Sequence, residues 1–112
     1  MIVVEKVEKN IDRVSFDKLL HFNALVADKI SIELSRLFEV PNAKVIIDLE
    51  GIKYIDSSGF GCFLTAMKSA RNNYGKLKIC NIDPEVLAVF NTLQLNSVLD
   101  LHKDLKSCLD SF

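Results

Sequence analysis

The chain lacks an excess of basic charge. Its 14 Lys and Arg stand against 15 Asp and Glu, a net charge of −1. Non-specific nucleic-acid affinity comes from clustered cations neutralising phosphates, so nucleic acid is not an expected partner. Cys62, Cys80 and Cys108 are odd in number and show no Cys-x-x-Cys spacing. That argues against a disulfide framework and a zinc site, and leaves reduced, packed thiols. No apolar run approaches the roughly 18 residues that would span a bilayer. The opening Met1-Ile2-Val3-Val4-Glu5-Lys6 meets charge too soon for a signal peptide. A soluble cytoplasmic protein, without membrane insertion, is therefore expected. The chain has no repeat, no low-complexity segment, no Gly-x-x-x-x-Gly-Lys loop and no Gly-x-Ser-x-Gly elbow. No acidic cluster precedes the first buried strand in the manner of a response-regulator metal site. No cofactor, no metal and no enzymatic activity are expected. With 112 residues there is room for one core, hence a single domain over 1–112.

What is present is concentrated in Lys44 to Gly61. Val45, Ile46 and Ile47 form a β-branched run that reads as a strand buried on both faces. Ile52, Tyr54 and Ile55 then lead into Asp56-Ser57-Ser58-Gly59. From Phe60 the period changes: Phe60, Phe63, Leu64, Met67 and Ala70 share one face of a helix, with Thr65, Lys68, Arg71 and Asn72 mostly opposite. The Asp-Ser-Ser-Gly tetrapeptide thus sits where an extended segment enters a helix. The first helical amides lack internal partners and the macrodipole favours negative charge there, so Asp and Ser suit the position. A phosphate on Ser57 or Ser58 would meet free N–H groups, with Gly59 and Gly61 leaving the backbone uncrowded.

The remaining elements follow in order. Ile2 to Val7 and Arg13 to Phe16 read as an edge hairpin with a turn at Lys9-Asn10. Asp17 to Phe22 reads as a loop, and Asn23 caps a helix to about Glu39, with Ala27, Ile30, Leu34, Leu37 and Phe38 on its inner face. Pro41-Asn42 ends it. Tyr74-Gly75 stops the central helix, with Gly75 expected in the left-handed region. Leu77 to Asn81 is a strand, and Asp83-Pro84-Glu85 starts a helix that buries Val86, Leu87, Val89, Phe90 and Leu93. Ser97 to Leu101 reads as a last strand, and Lys103 to Leu109 as a closing helix. This order predicts an α/β fold with a mixed, mostly parallel sheet of about five strands and about four helices. Sites in such sheets collect at the carboxyl ends of strands, where Asp56-Ser57 falls.

Asp-Leu, an apolar stretch, then Asp56-Ser57-Ser58-Gly59-Phe60-Gly61 and an apolar-faced helix resembles the STAS domain. The likeness is greatest to the bacterial anti-sigma factor antagonists, whose usual pattern has Leu where Phe60 stands. The resemblance implies a domain that binds an anti-sigma factor kinase through Asp56 to Gly61 and is released by phosphorylation of Ser57. Ser58 is then the structural cap. One position departs from the sporulation-type pattern: Leu20 stands where an acid is usual, which leaves its part to Asp17 or His21, or makes phosphorylation slow or absent.

Three other readings compete. Asp56, Ser57 and Ser58 could do no more than cap a helix. Some STAS-like domains are regulatory subunits, for example of a transporter, and need no phosphate. A serine hydrolase or transferase would need a base for Ser57, for which only His21 and His102 are on offer. Lys53, Lys68 and Arg71 are candidates to flank an interface at the helix start.

Overall fold

The computed structural model of the chain describes residues 2–112. β1 (Ile2–Val7) and β2 (Ile11–Phe16) pair antiparallel. The turn between them places Lys9 and Asn10 at φ 62° and 58°. β3 (His21–Phe22) precedes α1 (Ala24–Leu37) and β4 (Lys44–Asp48). β5 (Tyr54–Ile55) leads into α2 (Ser57–Asn72). β6 (Lys76–Cys80), α3 (Pro84–Thr92), β7 (Asp100–His102) and α4 (Leu105–Asp110) complete the chain. The main sheet has the order β1-β2-β4-β6-β7 and is parallel from β2 onward. The mixed α/β architecture expected from the sequence is therefore present, with four α-helices among the described residues.

Strand alternation sorts the core. Val45 and Ile47 of β4 face α1, α2 and α3, joining Ile30, Leu34, Phe63 and Phe90. Ile46 faces the other way and packs with Ile11, Cys80 and Cys108 beneath α4. Among the described residues, no helix is long and apolar enough to cross a membrane.

Four local expectations are corrected. Asp17 to Phe22 is not all loop: His21 and Phe22 pair with Tyr54 and Ile55 in a separate two-stranded parallel sheet. Ser97 to Leu101 is not one strand. Leu99 N–H donates to the Leu95 carbonyl at 2.8 Å, so the chain coils after α3 and both leucines reach the core at helical spacing before β7 begins. On α3 Val86 and Phe90 are buried and Leu87 packs partly buried against the core, while Val89, and Leu93 just beyond the helix, are exposed. At the end of α2 it is Tyr74, at φ 59°, that takes the left-handed position. Gly75 is needed for closeness instead. A Cβ there would stand 3.0 Å from both the Ala43 carbonyl oxygen and Phe38 Cδ1.

On the α4 face, Asp48 is 1% exposed yet fully bonded. Its Oδ2 accepts from Arg13 Nε (2.9 Å) and Nη2 (2.7 Å), and its Oδ1 from Asn81 Nδ2 and the Glu50 N–H, both 3.0 Å. Arg13 also pairs with Glu5. Removing one partner of such a pair strands a buried charge. Arg13→Ala is accordingly expected to lower stability by about 3 kcal/mol. Urea denaturation measures this, and an unchanged midpoint would show that the carboxylate is hydrated after all.

Candidate site at the start of the second helix

The site is built by two short strands and two helix starts. Asp56 has extended backbone, and its carboxylate Oδ1 accepts from the N–H groups of Ser58 (2.9 Å) and Gly59 (3.2 Å). Asp56, not Ser58, is therefore the cap of α2. The reach is physical: an Asp one residue before the helix carries its carboxylate over the second and third amides. The capping also corrects the expectation of free amides for a phosphate, since Asp56 already occupies two of them.

The small sheet holds this corner in place. Leu20 carbonyl accepts from Lys53 N–H (2.8 Å) and Tyr54 N–H (3.2 Å), and Phe22 carbonyl accepts from Asp56 N–H at 3.1 Å. Gly59 lets the helix start press against it. A Cβ at that position would lie 2.5 Å from Ile55 Cγ2 and 2.8 Å from Phe22 Cδ1, so any larger side chain must push the helix away.

The six residues of the motif have different exposures. Ser57 and Gly61 are exposed, Asp56 and Ser58 are half-buried, and Gly59 and Phe60 are buried. Phe60 turns inward, edge-on to Phe90 with ring centroids 4.8 Å apart. The Ser57 hydroxyl forms no hydrogen bond among the described residues, and so none to His21 or His102. His102 Nε2 is instead 2.8 Å from Asp100 Oδ1, and the His21 ring stands edge-on to Tyr54.

α1 is capped as expected, Asn23 Oδ1 accepting from Leu25 N–H at 3.0 Å. Between the starts of α1 and α2 runs a groove of about 280 Å³ lined by Ala27, Asp28, Ser31, Ser58, Gly61, Cys62 and Thr65. Asp28 thus supplies an acid beside the serine motif that reading the loop before α1 misses. Only the pairing of α1 with α2 reveals it. Burial pushes the Cys62 thiol up to about 11, partly offset by a hydrogen bond with Ser31, which keeps it protonated at neutral pH. Apolar side chains frame the same corner: Leu25 is 92% exposed, Leu20 60% and Tyr54 54%.

The basic residues singled out from the sequence do not gather here. Lys53 is tied to Asp83 at 3.0 Å, and this contact, followed by the Glu85 N–H, holds the Asp83 carboxyl below its ordinary range. Lys68 and Arg71 lie roughly 16 Å and 21 Å down α2 from Ser57 at 1.5 Å per residue. Among the described residues, no group of three or more His, Cys, Asp or Glu could hold a metal ion.

A mixed five-stranded sheet, helices packed on it and an Asp-capped, serine-bearing start of α2 define an α/β domain of STAS architecture. Residues 4–108 match the family model for the STAS domain, and the chain belongs to that family. It is similar to the anti-sigma-B factor antagonist of Listeria monocytogenes, with 26% identity over 101 residues that cover 89% of this chain and 88% of that protein. Among solved structures, an anti-sigma-factor antagonist (STAS) domain protein from Planctomyces limnophilus has a TM-score of 0.88 at 19% identity, covering 98% of this chain and 96% of that one. The Bacillus anti-sigma factor antagonist SpoIIAA, solved in unphosphorylated and phosphorylated forms, gives 0.71 and 0.70 at 18% identity. The coverage is 99% of this chain and 96% and 98% of those chains. At these identities the structures establish a shared fold.

Proposed function

We propose that the chain is an anti-sigma factor antagonist that acts in the cytoplasm, binds an anti-sigma factor kinase through the Asp56–Gly61 corner, and is released when Ser57 is phosphorylated. The observation that carries this reading is the exposed Ser57, whose hydroxyl has no hydrogen bond among the described residues, at the first position of α2. Gly59 and Phe60 shape the backbone of the interface, and Ser57 and Gly61 present its surface. The flanking Leu20, Leu25 and Tyr54 extend it with apolar area. The likeness to the Listeria antagonist supports the same role.

Incubation with the cognate kinase is expected to label the wild-type protein and Ser58→Ala protein, and to leave Ser57→Ala protein unlabelled. Undiminished labelling of Ser57→Ala would refute the assignment. Leu20 favours a second reading, since an exposed apolar residue where an acid is usual suits a fixed regulatory complex. A partner that binds wild-type protein with no phosphate transfer would support that alternative.

A further inference from the structure

β1 is one outer edge of the sheet and is hydrogen-bonded to β2 alone. Its other side offers a row of backbone N–H and C=O groups with no partner among the described residues. An edge of this kind is a template for another strand, a tendency that shortness, charged side chains, Pro, bulges or a covering element reduce.

Among the described residues β1 has no Pro, no bulge and no covering element, and the two charges it does carry, Glu5 and Lys6, are engaged within the hairpin. Its sequence, Ile-Val-Val-Glu-Lys-Val, contains no Pro, and its register with β2 runs unbroken from Ile2 opposite Phe16 to Val7 opposite Ile11. Its two charges are already neutralised across the hairpin: Lys6 Nζ lies 2.8 Å from Asp12, and Glu5 pairs with Arg13. Val3 to Lys6 are all exposed, so neither face of the strand is closed. Val4 shares the helix-bearing face with Ile2, and Val3 the α4 face with Val7. They remain 42% and 46% exposed. The opposite edge, β7, is only three residues long.

We propose that a second copy of this chain pairs with β1 edge to edge, antiparallel, about a two-fold axis at Val4. Symmetry sets the register. A two-fold axis normal to the sheet keeps each face on its own side, so a residue can oppose only residues of its own face and the axis must lie midway between a residue and its own copy. An axis at Val4 sets Val4 against Val4 of the partner subunit, Val3 against the partner's Glu5, and Ile2 against the partner's Lys6. No like charges then stand opposite. An axis at Glu5 would oppose two carboxylates, and one at Val3 would shorten the described pairing to Ile2–Val4. A strand pair of this length buries less than the ~1,200 Å² of a standard interface, so the association is weak and grows with concentration.

Sedimentation velocity from low micromolar to near-millimolar protein tests this. The weight-average mass of the wild type is expected to climb toward twice the monomer value, while β1 amides gain protection from hydrogen exchange. Val4→Lys and Val4→Glu proteins should each stay monomeric, because like charges meet on the axis, and an equimolar mixture of the two should recover association. A wild-type mass that stays constant, a Val4→Lys protein that associates as well as the wild type, or a mixture that remains monomeric would each overturn the proposal. Circular dichroism verifies that the variants fold, and the wild-type amide protection decides the matter without them.

Discussion

Protein carrying phosphate on Ser57 is expected to bind its anti-sigma partner at least about a hundredfold more weakly than unmodified protein. The phosphate adds about −1.5 to −2 charges and three acceptor oxygens. Inside the domain it finds little compensation, because the amides of Ser58 and Gly59 already serve the Asp56 carboxylate, which itself repels the new charge. The domain has no reason to refold. The cost therefore falls on the docked state: two unit charges about 4 Å apart interact by roughly 4 kcal/mol at a surface-like effective dielectric, and each 1.4 kcal/mol or so is tenfold in affinity. Leu20, Leu25 and Tyr54 sharpen the effect, since an apolar partner surface laid over them would have to desolvate the dianion. Calorimetric titration of the partner with unmodified, phosphorylated and Ser57→Ala protein gives the comparison. Ser57→Ala should bind like unmodified protein and Ser57→Asp should lose less than phosphate does. Equal affinity for the phosphorylated and unmodified forms would eliminate ejection by charge as the mechanism.

Phe63→Ala is expected to destabilise the fold by about 4 kcal/mol. Phe63 is fully buried in the main core, between Phe22 and Phe90. Its ring lies 5.3 Å from that of Phe22 on β3, edge to face, and 6.2 Å from that of Phe90 on α3, nearly parallel. Removing it loses apolar burial and both aromatic contacts, and leaves a cavity walled by strands and helices that cannot easily close it. Set against a typical total of about 5–15 kcal/mol, that is a large share. Chemical denaturation provides the measurement, with Val89→Ala as an exposed comparison expected to change stability by less than about 0.5 kcal/mol. A loss below about 1 kcal/mol for Phe63→Ala would mean that the core relaxes around the gap.

The elements legible in the sequence were those with short-range signatures. Asn23 and Asp83 cap α1 and α3 as their positions foretold, Asp83 Oδ1 accepting from Glu85 N–H at 3.0 Å. The Val45–Ile47 run is the buried central strand. The change of period at Phe60 marks α2, although the helix starts three residues earlier at Ser57. The misreadings involve residues whose conformation depends on distant neighbours or on which of two adjacent side chains reaches a helix amide. His21-Phe22 is too short to show alternation and becomes a strand only because Tyr54-Ile55 lies alongside. Ser58 looked like the cap because both serines can play that part, and the longer reach of Asp56 prevailed.

Sequence alone determined the helices, the buried strands and the place of the Asp-Ser-Ser-Gly turn, because caps and hydrophobic periods act over a few residues. Only the tertiary structure decided that the Ser57 hydroxyl is left without a partner among the described residues, that Asp28 comes to lie beside the motif, and that β1 rather than β2 is the outer strand of the edge hairpin. Each of these depends on packing between segments tens of residues apart, such as Phe22 against Gly59, and no local pattern records which segments will meet.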